Sequence, residues 1–283
     1  MANESTANDI VALINNIYEG ALLTAREQSV MVGLVKNFSG EGIASRVRTD
    51  YTGGTVATIA ETTDMSAQTF TPVAGGTITI AQYGTQYFIT DLRIASDYNN
   101  VMRDAANDLG QLLAVHVDTN LCGTAVFGNF TGGTVGTPGG TLTWAHFFQA
   151  LTYLRAAFAP QPYRCVLRPE QWYYLANTIA AGQSVTNAPA LQNELANRWF
   201  VGNAYGVDIY VDANIASGTA AIAGMFARDA IAFDNRRPFR IEPQRDASRG
   251  GGGWELNATM VYGYGVWRPT YGVKMIGTSI LPA

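Results

Sequence analysis

The chain has 283 residues, of which 47% are hydrophobic, with a formal net charge of −4 and a pI of about 5.2. This acidic balance argues against a general nucleic-acid-binding protein, and no stretch approaches the ~18 consecutive apolar residues of a membrane span. Only 14% of the residues are charged, against the ~25% that is usual in soluble domains. Because the centres of protein interfaces are poor in charge, the composition favours a chain that covers much of its surface with partners. A Gly- and Thr-rich β protein is the alternative interpretation.

Charge is also distributed unevenly. Residues 1–142 carry six Arg and Lys against 13 Asp and Glu, whereas residues 143–283 carry 12 against nine. The two halves therefore have net charges of −7 and +3. The polar, acidic N-terminus has no signal-peptide pattern, so we expect a cytoplasmic product. Cys122 and Cys165 lack CxxC spacing and are predicted to be buried free thiols.

The first 44 residues are predicted to form an arm. Apolar residues at helical spacing predict one or two amphipathic helices within residues 5–36: Ile10, Leu13, Ile14, Ile17, Leu22, Leu23, Val30, Met31, Leu34 and Val35. Nothing adjacent in the sequence is suited to cover their apolar face. We therefore expect this arm to lie on another part of the structure.

The stretch Ser45–Asp91 is rich in Thr, Gly and β-branched residues and contains no lysine. Short alternating apolar runs, with turns at Gly53-Gly54 and Gly75-Gly76, predict an extended hairpin with irregular ends. A two-stranded ribbon of this kind is only marginally stable in water. It must therefore be covered by another part of the chain or by a neighbouring molecule.

A long helix is predicted from Ser96 to Cys122, with Ser96 as its N-cap and Gly123 as its stop. Its apolar residues form one stripe at spacings of three and four. The polar residues, among them Asp104, Asp108 and Asp118, are predicted to lie mostly on the opposite, solvated side.

The remaining elements are short until the C-terminal region. We predict helices at Trp144–Phe158, capped by Thr143, and from Pro169 onward, with strands at Tyr163–Leu167, Gly206–Val211 and within Ala220–Phe233. Strict alternation from Glu255 to Val266 predicts a long strand with one covered face.

Enzymatic signatures are weak. His116 and His146 have no partners at metal-ligand spacing, and no GxSxG, P-loop or complete GxGxxG motif occurs. A small β-rich hydrolase is the alternative from another class of function, but it lacks a nucleophile or metal constellation. We therefore expect no catalytic residue, cofactor or metal site.

The order of these parts carries a family resemblance. The segments that carry it are Ile89-Thr90-Asp91-Leu92, Asp118 to Gly123, Gly206-Val207-Asp208-Ile209, Phe226 to Ala230 and Arg268 to Val273. The chain resembles the major capsid proteins of tailed bacteriophages, which share the α+β Hong Kong 97-type fold. The resemblance implies an N-terminal arm at residues 1–44, an E-loop at 45–92 and the spine helix and linker of a P-domain at 93–142. An A-domain at 143–232 and returning P-domain strands at 233–283 complete the map.

The resemblance implies a viral shell protein located in the virion. Pentamers and hexamers would form an icosahedral shell around double-stranded DNA, which the protein contacts non-specifically, after assembly in the host cytoplasm. Expected partners are further copies of the chain, a separate scaffolding protein, a portal and a decoration protein, with no membrane. An encapsulin-like cellular compartment has the same fold and remains an alternative.

The ribbon and the arginine cluster supply the candidate inter-subunit contacts. These residues are Thr55, Val56, Ile59, Phe70 and Ile78, together with Arg236, Arg237, Arg240 and Arg245. We expect the arginines to pair with the acidic first half of neighbouring subunits, with a nucleic-acid face as the alternative. Deletion of Thr55–Gly76 is predicted to leave a folded subunit that cannot close shells. Some family members cross-link subunits through an E-loop lysine, but the only lysines here are Lys36 and Lys274.

Overall fold

The computed structural model describes residues 30–40, 44–51, 53–56, 58–59, 61–62, 64–65, 67–96, 101–180, 200–248 and 251–281. Within them the α+β prediction is confirmed, since strands form two sheets and helices pack against both. The strands are β1 Lys36–Ser39, β2 Ser45–Tyr51, β3 Pro72–Thr90, β4 Thr134–Gly136, β5 Tyr163–Leu167, β6 Phe200–Ala204, β7 Val207–Val211, β8 Ala221–Ala227, β9 Ile231–Asp246, β10 Gly253–Val266 and β11 Gly272–Gly277. The helices are α1 Asp91–Ser96, α2 Val101–Cys122, α3 Thr124–Phe127, α4 Trp144–Ala156 and α5 Pro169–Ala180, and 3₁₀ turns occupy Met31–Gly33, Arg228–Ala230 and Pro269–Tyr271.

The first sheet has five strands in the order β1-β9-β10-β3-β2. Its centre is the β9–β10 hairpin, whose turn includes Gly251 and Gly252 at φ values of +98° and +97°, a conformation that favours glycine. β3 pairs antiparallel with β10 from Ile80 to Thr90 and with β2 from Pro72 to Thr79. β1 pairs parallel with β9 at the opposite edge.

The spine helix α2 packs across this sheet. Its 22 residues span about 33 Å at ~1.5 Å per residue. The buried side of α2 follows much of the predicted stripe and contacts Phe239, Ile241 and Leu256 of the sheet. The helix begins later than predicted, because Ser96 is the last residue of α1 rather than an N-cap, and residues 97–100 lie outside the described ranges.

Asp118 of α2 is wholly buried, so its predicted place on the solvated side is wrong. Its carboxylate accepts hydrogen bonds from the backbone N–H groups of Val30, at 2.7 Å, and Met31, at 3.2 Å. The carboxylate thus ties the chain at Val30 and Met31 to the spine helix. The helix predicted across Val30–Leu34 is instead a buried 3₁₀ turn followed by β1, and residues 5–29 lie outside the described ranges.

The second sheet has six strands in the order β4-β11-β8-β5-β7-β6. Phe147, Leu151 and Leu154 of α4 are buried against it. The predicted strand Tyr163–Leu167 and the helix from Pro169 are confirmed at their predicted starts. β4 and β11, however, come from chain segments that the predicted domain map assigned to neighbouring parts.

Candidate assembly interface

The predicted hairpin is confirmed, and its two strands leave the five-stranded sheet as a ribbon formed by β2 and the first half of β3. The ribbon tip is the segment 53–70, which has no helix or strand among its described residues. Val56, Ile59, Met65 and Phe70 are all exposed there, Val56 completely and Phe70 to 68%. An apolar cluster at the end of an uncovered ribbon has no core of its own to enter, and such surfaces mark interaction sites.

Local contacts hold the tip in shape. The Gln68 side-chain amide accepts a hydrogen bond from the Thr55 backbone N–H at 2.6 Å, and its Nε2 donates to the Thr55 carbonyl. The rings of Tyr51 and Phe70 stack with centroids 4.4 Å apart. Thr55, Val56, Ile59 and Phe70, four of the predicted contact residues, all lie on this tip, whose two sides are joined by Thr55 and Gln68.

The fifth predicted residue, Ile78, lies elsewhere. It is wholly buried in its own subunit, in a small cluster with Ala232 and Trp267 against Phe38. Its side chain is therefore not part of an exposed contact surface, and the expectation for this residue is wrong. The reason is position: Ile78 stands at the root of the ribbon, where it pairs with Arg46 of β2 and its side chain lies against Gly263 of β10.

The root is held tightly to the end of β10. Arg48 of β2 donates to the Trp267 carbonyl and also pairs with Asp50, whose pKa it holds below the ordinary value by hydrogen bonding. Gly76 lies against the backbone of Val266, and a Cβ atom at this glycine would come within 2.5 Å of the Val266 oxygen. The ribbon is thus anchored at one end and exposed at the other.

A buried carboxylate, Asp234 of β9, joins the ribbon to the arm. Its Oδ2 accepts hydrogen bonds from Arg46 of β2 at 2.8 Å and from Arg236 at 3.0 Å. The Arg46 guanidinium also lies 4.5 Å from the ring centroid of Phe38 in β1, and Arg236 donates to the carbonyl of Gly40. Sequence reasoning missed this junction, because nothing in the local pattern singles out Asp234 from other polar strand residues.

The predicted arginine contacts are partly satisfied within the subunit. Arg245 forms a bidentate pair with Asp91, at 2.9 and 2.6 Å, and Arg236 pairs with Asp234. Only Arg245 finds its partner in the acidic first half, and it does so within one chain, because β9 and the strands of that half share one sheet; Arg236 pairs with a carboxylate of its own strand. Arg240 is exposed beside Glu242, and the Nε–H of half-buried Arg237 donates to no acceptor among the described residues.

No alternative site of chemistry emerges from the described ranges. They hold no cluster of three or more His, Cys, Asp or Glu suited to a metal ion, and none of their helices combines the length and apolarity needed to cross a membrane. The His146 ring accepts a hydrogen bond from the Thr143 N–H at the start of α4. Cys122 and Cys165 are buried free thiols, and burial raises the pKa of both.

Solved structures that share this fold include phage capsids and a virus-like particle. A chain of Mycobacterium phage Che8 is 18% identical with a TM-score of 0.69, covering 87% of this chain and 90% of its own. The capsid of Ralstonia phage GP4 is 12% identical with a TM-score of 0.67, covering 88% of each chain. The virus-like particle from Pyrococcus furiosus is 10% identical with a TM-score of 0.60, covering 93% of this chain and 99% of its own. These likenesses establish the Hong Kong 97-type fold.

Sequence comparison identifies the family. Residues 75–275, more than half of the chain, match the family model for phage capsid proteins, whereas a search of curated sequences finds no match. The chain belongs to this family of phage capsid proteins. It is a major capsid protein that forms the capsid shell of a virion, and the encapsulin alternative is not favoured.

Proposed function

We propose that the subunit assembles into pentamers and hexamers of an icosahedral shell that encloses double-stranded DNA. The observation that supports this most directly is the ribbon tip, with apolar side chains exposed at the end of an anchored ribbon. Identical copies in a ring meet through heterologous contacts, in which one patch meets a different patch next door. Thr55, Val56, Ile59 and Phe70 supply one such patch, and burying them on a neighbour removes apolar area from water.

The net charge of the chain supports non-specific contact with the packaged DNA. The net charge of −4 is compatible with an inner surface that is not strongly basic, so that the genome would be confined rather than bound. We propose exposed Arg240 and half-buried Arg237 as additional contacts between subunits. The domain map inferred from the family remains part of this proposal, with Ile80–Thr90 of its E-loop pairing with β10 of the P-domain sheet.

The other partners follow from the proposed assembly. A separate scaffolding protein would set the curvature, a portal would occupy one vertex and a decoration protein would bind the outer surface, with assembly in the host cytoplasm. The subunit itself acts structurally rather than as an enzyme.

Electron microscopy of the purified chain, alone and co-expressed with its scaffold, tests the proposal. Closed shells with five- and six-fold capsomers are expected, and particles from infected cells should contain nuclease-protected DNA. Particles filled with a protein cargo instead would indicate a cellular compartment. A monodisperse single chain at every concentration, with the ribbon folded back on its own body, would contradict the shell.

The absence of lysine from the ribbon predicts particles without covalent lysine cross-links from this element. Lys36 lies on β1 and pairs with Asp229 at 3.0 Å, and Lys274 lies on β11, where its Nζ donates to the Gly128 carbonyl at 3.2 Å. Particles boiled in detergent should therefore release one band near 30.4 kDa on a denaturing gel. A ladder of multiples of that mass would refute this prediction.

A further inference from the structure

Two exposed aromatic residues in the turns that precede β5 and β7 of the six-stranded sheet have an unfavourable backbone conformation. Phe158 has a φ of +53° and is 90% exposed, and Tyr205 has a φ of +56° and is 69% exposed. Within the described ranges they are the two non-glycine residues at positive φ. Left-handed backbone disfavours side chains larger than hydrogen, and Asn tolerates it better than Phe or Tyr.

Within the subunit, the exposed ring of Phe158 gains little to offset this strain, and that of Tyr205 gains one edge-on contact with Phe148. A buried aromatic ring contributes strongly to stability, but a ring in water contributes little. Glycine or asparagine would suit both turns better in an isolated subunit. Large aromatic side chains at such positions point to a contact outside the subunit, since Tyr and Phe are enriched in interfaces.

The two residues lie at the same end of the sheet, where β5 and β7 begin. β5 and β7 are parallel neighbours with Tyr163 opposite Val207, so the turns that precede both strands lie at the same end of the sheet. Phe148 of α4 joins them, with its ring centroid 4.8 Å from that of Tyr205 in an edge-on arrangement. We name Phe148, Phe158 and Tyr205 the aromatic corner.

A shallow groove lies at the opposite end of the same sheet, beyond the C-terminal end of β5. It is lined by Pro169, Glu170, Tyr173 and Leu281, where α5 begins after the end of β5. Tyr173 and Leu281 are both exposed, and Tyr174 holds the adjacent chain by donating to the Ile280 carbonyl at 2.5 Å. We name these four lining residues the tyrosine groove.

We propose that the aromatic corner of one subunit packs into the tyrosine groove of the next copy in the ring. This inference rests on the proposed shell, in which copies of one chain are neighbours. A head-to-tail contact needs two different apolar patches that face in different directions. The corner and the groove meet that requirement, since the corner exposes aromatic rings, the groove is concave, and they lie at opposite strand ends of one sheet. The contact is separate from the ribbon tip.

The variant Phe158→Asn should change stability and assembly in opposite directions, whereas loss of a purely structural residue would weaken both. The free subunit should melt at a higher temperature, because asparagine relieves the backbone strain. The subunit concentration needed for shell formation should nevertheless rise roughly tenfold or more, as for loss of an interface hot spot. If wild-type protein forms shells and this variant forms them at the same concentration, the contact is overturned. If wild-type protein forms no shells, the proposed function itself fails.

A disulfide test locates the contact directly. Phe158→Cys combined with Leu281→Cys should give covalent multimers on a non-reducing gel after mild oxidation of assembled shells. Cys122 and Cys165 are both buried, so the introduced thiols are the accessible ones. Each single variant is the matched control and should run as a monomer. Assembled shells of the double variant that yield only monomer would overturn the pairing of corner and groove.

Discussion

Replacement of residues 53–70 by Asn-Gly is expected to give a folded, soluble subunit that forms no shells. The deletion predicted from the sequence, Thr55–Gly76, would also remove Pro72–Gly76, part of the β3 segment that pairs with β2. The shorter replacement keeps the pair Tyr51–Pro72, and Asn-Gly is a favoured two-residue hairpin turn. Circular dichroism and melting of the subunit should stay near the wild type. Electron microscopy should show a complete loss of closed particles.

A point substitution separates loss of the apolar contact from loss of chain length. Val56→Asp places a charge on a fully exposed valine of the tip and should abolish or severely reduce assembly, because burying an unpaired charge is costly. Val56→Thr is the matched control, since it keeps the shape of the side chain, and it should assemble. Normal shells from both Val56→Asp and the Asn-Gly variant would exclude the tip as an inter-subunit contact.

Asp234→Ala is expected to destabilise the subunit by about 3–5 kcal/mol, the usual cost of breaking a buried charge pair by removing one partner. Asp234 is wholly buried, and the substitution leaves Arg46 and Arg236 without their shared carboxylate. For a chain of this size the loss corresponds to a fall in melting temperature on the order of 10 °C. Calorimetry of the unassembled subunit measures it.

The matched control is Asp229→Ala, which removes a carboxylate from the same region of the chain. Asp229 pairs with Lys36 at 3.0 Å, but both side chains are more than one-third exposed, so the expected loss is within ~1 kcal/mol. Asp234→Asn should fall between the two alanine variants, since it keeps one acceptor oxygen. Equal melting temperatures for Asp229→Ala and Asp234→Ala would show that the buried junction does not stabilise the fold.

Elements with strong local signals were predictable from the sequence. The strand Tyr163–Leu167 is bounded by prolines, the helix from Pro169 has proline in its first turn, and the alternation up to Val266 extends over many residues. Each signal comes from residues adjacent in the sequence, so local conformational preference is enough to place these elements. The exposed ribbon tip was predictable for a related reason, because a thin hairpin has no interior of its own.

Features that depend on distant partners were not predictable. Asp118 follows helical spacing onto the polar side, yet the chain at Val30 and Met31 covers it and uses its carboxylate. Ile78 has the same local pattern as its exposed neighbours on the ribbon, and only its position against Trp267 buries it. The pairing of β4 with β11 joins residues far apart in sequence, which neither periodicity nor turn signals encode.

The strand order of the five-stranded sheet also determines when the subunit becomes complete during synthesis. β1, β2 and β3 come from the first third of the chain, but the hairpin that joins them, β9 and β10, ends only at Val266. The ribosome must therefore translate past Val266 before the ribbon has a body to extend from. Nascent chains that stop short of the β9–β10 hairpin thus lack a complete five-stranded sheet, and translation itself delays polymerisation until that hairpin has been made.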